Sequence, residues 1–343
     1  MWITSTGPFG LTRLETLTMA RIFITGATGF IGRALCRHLI SEGDSVCGAV
    51  RSPQSEKRLF PGVIPFVCGD LQHDVDWSSA LQGVDAVVHL AARVHVLKET
   101  EADASRAFQR LNVDVTRELA GAAARNGVKR FVFLSSVKVN GEFSLRPFRE
   151  DDPVAPQDLY GISKKAAEEA LRSLARETAL ECTIVRPPLV YGQEVRANFL
   201  KLMQLVASGL PLPLASIRNR RSFVYVDNLV SAIAACIRHP AAANQTFFVS
   251  DGQDLSTPQL LRGIAEGLGK PVRLFPFPVS LLAGVARAAG LNETIRRLTE
   301  SLAVDSAKIQ NTLDWHPPFS VQTGLARTAQ YFSGRSSGGT AHE

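Results

Sequence analysis

The sequence has little of what marks nucleic-acid-binding, secreted and metal-binding proteins. Its 38 basic and 32 acidic residues leave a formal net charge of +6, and they are scattered with no long basic block. We therefore expect no nucleic-acid partner, and the mild basic excess suits an anionic small molecule instead. The five cysteines form no C-x-x-C pair, and four of them lie in apolar runs where cysteine behaves as a small hydrophobe. This usage predicts no metal site and a reducing, cytoplasmic compartment.

Long apolar runs are also lacking. Residues 1–18 are mildly polar and make no signal peptide. Because Met19 directly precedes the first predicted strand, we expect these residues to be a disordered leader or to lie upstream of the true start. The longest apolar stretch, Val279–Gly290, is too short to span a bilayer and carries Arg287. It predicts a helix of a second domain, with contact at a membrane surface as the alternative, and no stable membrane insertion.

A strand, a glycine-rich turn and a helix follow one another near the start of the chain. Arg21–Thr25 is a short apolar run with β-branched residues, which predicts a buried strand. Three glycines then recur at every third position, before apolar residues continue at helical spacing. Glycines let the chain reverse, approach a diphosphate and pack the helix on the strand, while the helix N-terminus offers free N–H groups. We therefore predict a dinucleotide site rather than an ordinary tight turn, with these cofactor-binding residues: Gly26, Gly29, Phe30, Ile31 and Gly32.

Further apolar runs alternate with helical patterns along most of the chain. This alternation predicts a doubly wound parallel sheet, a Rossmann-like α/β fold, with a smaller C-terminal lid domain. We expect a nucleotide-binding domain from residues 19–190 with 222–250, a substrate-binding domain from 191–221 with 251–332, and a flexible tail at 333–343. The later strands of the main sheet are predicted at Ser45–Val50, Val63–Cys68, Asp85–Leu90, Arg130–Leu134, Cys182–Arg186, Phe223–Val226 and Thr246–Ser250.

The residues that follow the second, third and fourth strands bear on the cofactor. An NAD site normally places a carboxylate after the second strand, whereas an arginine there accepts a 2′-phosphate. Arg51 therefore favours NADP(H), with NAD(H) as the alternative if Arg51 is only a solvated loop residue. Asp70 and Leu71 follow the third strand, where an acid can bind an adenine amino group or cap a short helix. Ala91 is small enough to let a dinucleotide lie close, and His89 before it is predicted to be a packed core histidine.

Polar side chains that can carry a proton lie farther along the chain. Asn112 falls on the apolar stripe of a predicted helix, so its amide must be hydrogen-bonded, either as a structural contact or within a proton network. Ser136 follows the fifth strand, at the sheet edge where open α/β folds bind ligands. Tyr160 and Lys164 are four residues apart at the start of a helix and so project from one face. A nearby ammonium stabilises phenolate, so we expect Lys164 to lower the pKa of Tyr160.

Together these motifs resemble those of the extended short-chain dehydrogenase/reductase family, in its nucleotide-sugar branch. The resemblance covers the chain from Met19 to about Phe332. It implies a homodimer in which Ser136, Tyr160 and Lys164 are catalytic. Ser136 would hydrogen-bond the substrate oxygen, Tyr160 would exchange a proton with it, and Lys164 would also hold the nicotinamide ribose. The motifs that carry it are T-G-A-T-G-F-I-G, G-D-L, H-L-A-A, F-L-S-S, Y-G-I-S-K, R-P-P-L-V-Y-G and R-S-F-V-Y-V-D.

The branch of this family is set by residues around the expected substrate. Sugar 4,6-dehydratases carry an Asp-Glu pair after the catalytic hydroxyl, but here Val137 and Lys138 occupy those positions, so dehydration should fail. Epimerases usually hold NAD with a carboxylate where this chain has Arg51. The stretch Val137–Glu142 looks most like bacterial reductases of O-antigen pathways. These form UDP-N-acetylquinovosamine from UDP-4-keto-6-deoxy-N-acetylglucosamine.

The resemblance therefore predicts an NADP(H)-dependent reductase acting on the C4 ketone of a UDP-amino sugar. It implies that Ser136, Lys138, Asn198 and Arg221 contact the substrate, and arginine suits a diphosphate because its planar fork binds phosphate oxygens in pairs. One alternative is a UDP-hexose or UDP-N-acetylhexosamine 4-epimerase with tightly bound NAD. Another is a non-catalytic nucleotide-binding regulator, and a sugar carried on a lipid diphosphate stays open as the substrate.

Overall fold

The computed structural model describes residues 19–94 and 100–337. The predicted leader, 1–18, and the end of the predicted tail, 338–343, lie outside the described residues. The strands are β1 (Arg21–Thr25), β2 (Ser45–Val50), β3 (Ile64–Val67), β4 (Ala86–His89), β5 (Arg130–Leu134), β6 (Glu181–Arg186), β7 (Leu189–Tyr191), β8 (Phe223–Tyr225) and β9 (Thr246–Phe248). Seven of them form a parallel sheet in the order β3-β2-β1-β4-β5-β6-β9.

Helices cover both faces of this sheet. The α-helices of the described residues are α1 (Phe30–Ser41), α2 (Ser78–Leu81), α3 (Glu101–Phe108), α4 (Val115–Arg125), α5 (Leu159–Glu177), α6 (Ala197–Ala207), α7 (Val226–Arg238), α8 (Thr257–Leu268), α9 (Val279–Ala288), α10 (Asn292–Thr299), α11 (Ala307–Leu313) and α12 (Val321–Ser337). The strand order reverses between β1 and β4, where open α/β sheets bind ligands beyond the carboxyl ends of their strands. The predicted doubly wound, Rossmann-like fold is confirmed.

Alternate residues of the central strands serve the two faces of the sheet. Ile22 and Ile24 of β1 belong to the core that contains α1 and α7. Phe23 belongs to the core that contains α4 and α5. Because a parallel strand is buried on both faces, it reads as a continuous apolar run rather than an alternating one. This is why short apolar runs located the seven strands of the main sheet.

The structure departs from the predicted elements in the second half of the chain. Phe223–Val226 was expected in the main sheet, but β8 pairs with β7 in a separate two-stranded sheet. The chain leaves β6 through Pro187 and Pro188, which have no N–H for a strand ladder, so the next strand cannot simply extend the main sheet. The predicted tail also differs, because α12 continues to Ser337 and residues 333–337 are helical.

Candidate active site

The glycine-rich turn joins β1 to α1 with geometry that requires glycine at two positions. Gly26 has a φ of +71°, and a Cβ there would lie 2.9 Å from the backbone nitrogen of Ala91. A Cβ on Gly32 would lie 2.1 Å from the carbonyl oxygen of Gly26. Gly29 precedes α1 and supplies no side-chain cap, and the first turn of α1 holds no acidic residue. The first N–H groups of α1 are thus left for an anionic ligand, which fits the diphosphate of a dinucleotide.

The residues after the other strands lie where a dinucleotide would extend, but their contacts are local. Arg51 is exposed directly after β2. The Asp70 carboxylate accepts a hydrogen bond from the Gln72 backbone N–H at 3.1 Å, so it shapes a turn rather than capping a helix. Leu71 is partly buried against the core beneath it. The Ala91 N–H donates to Thr25 Oγ1 at 3.2 Å, which fixes the close approach of this chain to the glycine turn.

His89 is a core residue, as the sequence predicts. Its ring nitrogens lie 2.6 Å from Thr25 Oγ1 and 3.0 Å from Thr116 Oγ1. The ring stacks on Phe133 with 5.9 Å between centroids. Burial, helped by the charge of Lys164, lowers the pKa of His89 to about 3. The imidazole is therefore neutral at physiological pH and packs rather than transferring protons.

Ser136 and Tyr160 meet at the carboxyl edge of the sheet. Ser136 follows β5 and caps a short 3₁₀ turn, accepting the Lys138 N–H at 3.2 Å. Tyr160 lies in the first turn of α5, which Asp158 caps by accepting the Gly161 N–H at 2.7 Å. The Ser136 side chain lies close enough to the Tyr160 hydroxyl to lower its pKa. A strand end and a helix start that are distant in sequence thus form one hydroxyl pair.

Lys164 lies behind this pair and is only 1% exposed. Its Nζ donates to the Leu134 carbonyl oxygen at 2.7 Å and sits 5.9 Å from the centre of the Tyr160 ring. Burial lowers the pKa of Lys164 to about 7, although the nearby Glu168 carboxylate acts in the opposite direction. Lys164 is therefore close to losing its charge at neutral pH.

The predicted lowering of the Tyr160 pKa is wrong for this structure. Burial raises the pKa of Tyr160, the Asp158 carboxylate raises it further, and only the nearby Ser136 side chain lowers it. Desolvation opposes the phenolate, and Lys164 is turned toward the Leu134 carbonyl rather than toward the phenol oxygen. Without a ligand the phenol therefore keeps its proton.

Asn112 holds the start of α5 against the loop after β4. A six-residue π-helical segment, Gln109–Asp114, interrupts the single helix that was predicted here. Within it the Asn112 amide donates to Ser163 Oγ at 2.9 Å and to the Arg93 carbonyl at 3.0 Å. Its oxygen accepts the Arg93 N–H at 2.8 Å. These hydrogen bonds favour a structural role for Asn112 over a role in a proton network. They position the turn that carries Tyr160 and do not contact its hydroxyl.

A buried ion pair that the sequence-based prediction missed supports the catalytic strand end. The side chains of Glu168 and Arg186 are buried and hydrogen-bonded to each other, with Arg186 Nε to Glu168 Oε1 at 2.8 Å. Ser135 Oγ donates to the same carboxylate at 2.6 Å, and Arg186 reaches Asn140 Oδ1 at 2.9 Å. Glu168 lies four residues after Lys164 on the same helical face, and this spacing was the available signal. The network holds the loop that carries Ser136 against α5.

Lys138, a predicted substrate contact, is held by two carboxylates. Its Nζ lies 2.7 Å from Glu142 Oε1 and 2.5 Å from Asp158 Oδ2. Burial would lower the pKa of Lys138, but the hydrogen bonds to Asp158 and Glu142 outweigh it and raise that pKa. Val137 beside it is buried. Neither residue offers a free acid or base for elimination.

A second side of the site, formed by Arg221 and the residues of α10 and called the lid side here, brings arginines together. Arg221 donates to the Glu300 carbonyl oxygen at 3.0 Å. Burial lowers the pKa of Arg221, and the neighbouring Arg297 guanidinium also lowers it, against the carboxylates of Glu300 and Glu142. Arg297 is itself paired with Glu293 at 2.9 Å, so Arg221 is a partly buried cation beside an exposed arginine that already has a carboxylate partner. Arg297 was missed, because nothing in its own sequence context marks it. Asn198 lies exposed in the first turn of α6, and no hydrogen bond within the described residues joins it to this pair.

Comparisons with known proteins agree with this geometry. A model of the NAD dependent epimerase/dehydratase family matches residues 22–249. A UDP-glucose 4-epimerase of Vibrio cholerae is 42% identical over 315 residues, which cover 91% of this chain and 95% of that protein. An N-acetyl-alpha-D-glucosaminyl-diphospho-ditrans,octacis-undecaprenol 4-epimerase of Escherichia coli O157:H7 is 28% identical over 90% of this chain and 94% of its own length.

A solved structure shows the same fold. The crystal structure of UDP-glucuronic acid 4-epimerase from Bacillus cereus, in complex with NAD, superposes with a TM-score of 0.75. It is 21% identical and covers 94% of this chain and 99% of its own. The matched residues 22–249 make up more than half of the 343 residues, and the similarity to the Vibrio protein extends across nearly the whole length. On these grounds the chain belongs to the NAD dependent epimerase/dehydratase family of enzymes.

Proposed function

We propose that this chain is a nucleotide-sugar 4-epimerase, which oxidises C4 of a UDP-sugar and reduces it again on the opposite face. The similarity that carries this proposal is the 42% identity, over 91% of the chain, to a UDP-glucose 4-epimerase. The fit of the site supports it, because Ser136, Tyr160 and Lys164 converge at the strand ends beside the glycine turn. The sequence had favoured a 4-ketoreductase, which becomes the second candidate.

The glycine turn and the first N–H groups of α1 would hold the diphosphate of a dinucleotide. The nicotinamide of that cofactor, when bound, supplies a hydride acceptor and donor for C4. Arg51 directly follows β2, and the adenosine ribose is expected to lie at the end of this strand. We keep NAD(P)(H) as the cofactor class, with NAD favoured for an epimerase that recycles it.

In this proposal Tyr160 would take the proton from the C4 hydroxyl and return it, while Ser136 would hold the same oxygen. Because burial raises the pKa of Tyr160, its base form needs a positive charge close by. Lys164, with a pKa of about 7, can gain or lose that charge near neutral pH. Arg221 and Arg297 would receive the diphosphate of the UDP-sugar, since the partly buried Arg221 and the exposed Arg297 both carry positive charge on this side of the site.

Conversion of UDP-glucose and UDP-N-acetylglucosamine tests the proposal. The purified protein is incubated with each sugar and a catalytic amount of NAD, and the products are resolved by proton NMR. We expect the C4 epimers to accumulate with no net change in reduced nicotinamide. The absence of any epimer, together with steady consumption of reduced cofactor when a UDP-4-keto sugar is supplied, would overturn the epimerase in favour of the ketoreductase.

Arg51 is the observation that favours the second candidate, a 4-ketoreductase that uses added NADPH. Epimerases were expected to carry a carboxylate at this position, and an arginine there suits a 2′-phosphate. Replacing Arg51 with aspartate should shift the ratio of affinities toward NAD by about tenfold if Arg51 contacts that phosphate, as one charge-assisted hydrogen bond is lost. An unchanged ratio would leave the ketoreductase without its supporting residue. Titration of cofactor binding by fluorescence measures this directly.

A further inference from the structure

Helix α9 is apolar both on the face that packs inward and on the face that points to solvent. Ala286 is buried and Leu282 packs against the core. Leu281 and Val285, each one residue before these, lie about 100° around the helix and leave 59% and 65% of their surfaces exposed. A helix that is hydrophobic all round is normally buried. Within the part of the chain that the structure describes, nothing covers the outer face of α9.

The segments on both sides of α9 also carry exposed apolar side chains. Phe275 precedes the helix and is 42% exposed, and Leu291 follows it and is 54% exposed. Phe275 lies in an extended segment in which Leu274 pairs with Leu212 and packs on the core, so its neighbours in alternation point outward. We call Phe275, Leu281, Val285 and Leu291 the apolar strip.

The charges within residues 267–292, which contain the apolar strip, are of one sign. Residues 267–292 contain no aspartate or glutamate, and their charged side chains are Lys270, Arg273 and Arg287. Arg273 and Arg287 are exposed, and among the described residues neither has an ion-pair partner. The first acid beyond this segment, Glu293, is bonded to Arg297 at 2.9 Å. An exposed apolar strip flanked by unpaired cations matches a surface that is apolar inside and anionic at its edge.

We infer that α9 docks on an anionic lipid surface, with the apolar strip inserted at the headgroup boundary and Arg273 and Arg287 among the headgroups. The helix spans ten residues, and no described helix of the chain is long and apolar enough to cross a bilayer, so α9 would lie in the plane of the interface. Basic residues beside an apolar face add attraction to acidic lipids. The inference goes beyond the proposed function and is tested without any substrate.

A second copy of this chain fits the strip less well. A twofold interface brings the same surface patch of both subunits together. Arg273 and Arg287 would then face cations of their own kind, and residues 267–292 hold no acid to pair with them. Like charges that are brought together and desolvated disfavour association. An anionic lipid surface provides the missing opposite charge.

Vesicle flotation with the full chain tests this inference. Vesicles of phosphatidylcholine alone are compared with vesicles of equal parts phosphatidylcholine and phosphatidylglycerol. We expect binding to the anionic vesicles that weakens as salt is added, and little binding to the neutral ones. The double variant Leu281→Glu/Val285→Glu should lower binding by about tenfold or more, because it removes the inserted apolar side chains. Leu145→Glu, at a fully exposed leucine outside the strip, is the matched control and should bind as the wild type does.

Two further measurements guard against misfolding and against a second copy. Leu281→Trp keeps the strip apolar, and its emission should shift to the blue with anionic vesicles only. Arg273→Glu/Arg287→Glu leaves the strip intact and should weaken binding most at low salt. The inference is overturned if the wild type floats with neither vesicle, or if the Leu281→Glu/Val285→Glu variant floats equally well. It is also overturned if light scattering shows that the wild type is an oligomer without vesicles and that the only effect of this double substitution is to dissociate that oligomer.

Discussion

The two sides of the candidate site differ in how far their chemistry is already assembled. On the sheet side, Ser136 lies close to the Tyr160 hydroxyl, and Lys164 is buried and donates to the Leu134 carbonyl oxygen. On the lid side, the Arg297 guanidinium lies near Arg221 and lowers the pKa of Arg221. Burial and hydrogen bonds hold the residues of the sheet side in place. The lid side instead carries positive charge that a bound anion would neutralise. Changes on the sheet side should therefore affect turnover and stability, and changes on the lid side should affect substrate affinity.

Removing the Tyr160 hydroxyl should produce the largest effect. Tyr160→Phe keeps the ring but removes the atom that exchanges a proton, and general acid–base catalysis of this kind contributes about 10²–10⁴-fold to the rate. We expect kcat to fall by about 10³-fold while the protein still binds its cofactor, because the glycine turn is untouched. Single-turnover kinetics and a cofactor titration measure the two quantities. Turnover close to that of the wild type would remove Tyr160 from its assigned role.

Breaking the buried Glu168–Arg186 pair should produce the next largest effect, on stability. Glu168→Ala leaves the Arg186 guanidinium buried without its carboxylate, and such a loss costs about 3–5 kcal/mol. Glu169→Ala removes a carboxylate of the same helix that is exposed and weakly paired with Lys165, so it should change stability by less than about 1 kcal/mol. Urea unfolding of the two variants measures the difference. Equal stabilities would show that the pair does not hold the strand end in place.

The buried ammonium of Lys164 should make stability depend on pH in a particular direction. Its pKa is about 7 in the folded chain and 10.5 as a model value, so between these values the unfolded chain binds the extra proton. Stability due to this group therefore rises as pH rises from about 7 toward 10.5, and the penalty is greatest below pH 7. Lys164→Met lacks this dependence. The free energy of unfolding of the wild type should therefore rise relative to that of the variant by up to about 3 kcal/mol between pH 7 and 9.5.

Unfolding in urea at several pH values checks this prediction. Lys165→Met, which alters the exposed neighbour on the same helix, should follow the wild type at every pH. Parallel curves for the wild type and Lys164→Met would contradict the lowered pKa.

The same comparison shows which parts of the molecule the sequence could predict. The glycine turn was predictable because its signal is local: a strand, glycines at fixed spacing and a helix. Ser136 and Tyr160 could be placed together because parallel strands end at one edge of a sheet, although they belong to different elements. The strands of the main sheet were found for a related reason, since burial on both faces leaves continuous apolar runs.

The missed features depend on contacts that no local pattern carries. The raised pKa of Tyr160 comes from burial and from Asp158, and the spacing of Tyr160 and Lys164 alone indicated the opposite direction. Arg297 comes near Arg221 only in the folded chain. The residues next to each arginine in the sequence therefore did not indicate that the two meet. Likewise, β8 pairs with β7 because two prolines end the ladder after β6, a tertiary consequence that the apolar pattern of β8 does not contain.

Substitution of Arg297 should produce the smallest effect of these changes. It also distinguishes the two sides most clearly, because it should change KM and leave kcat nearly unchanged. Arg297→Gln removes one of two adjacent cations without touching Ser136, Tyr160 or Lys164, so KM for the nucleotide sugar should rise by about tenfold with kcat nearly unchanged. The effect should shrink as salt is added, because the guanidinium is exposed and its attraction for an anion is screened. Arg262→Gln, at an exposed arginine of α8, is the control and should leave both constants alone. A fall in kcat with constant KM would mean that Arg297 acts on the sheet side after all, and the division between a side built for proton transfer and a side built for anion binding would fail.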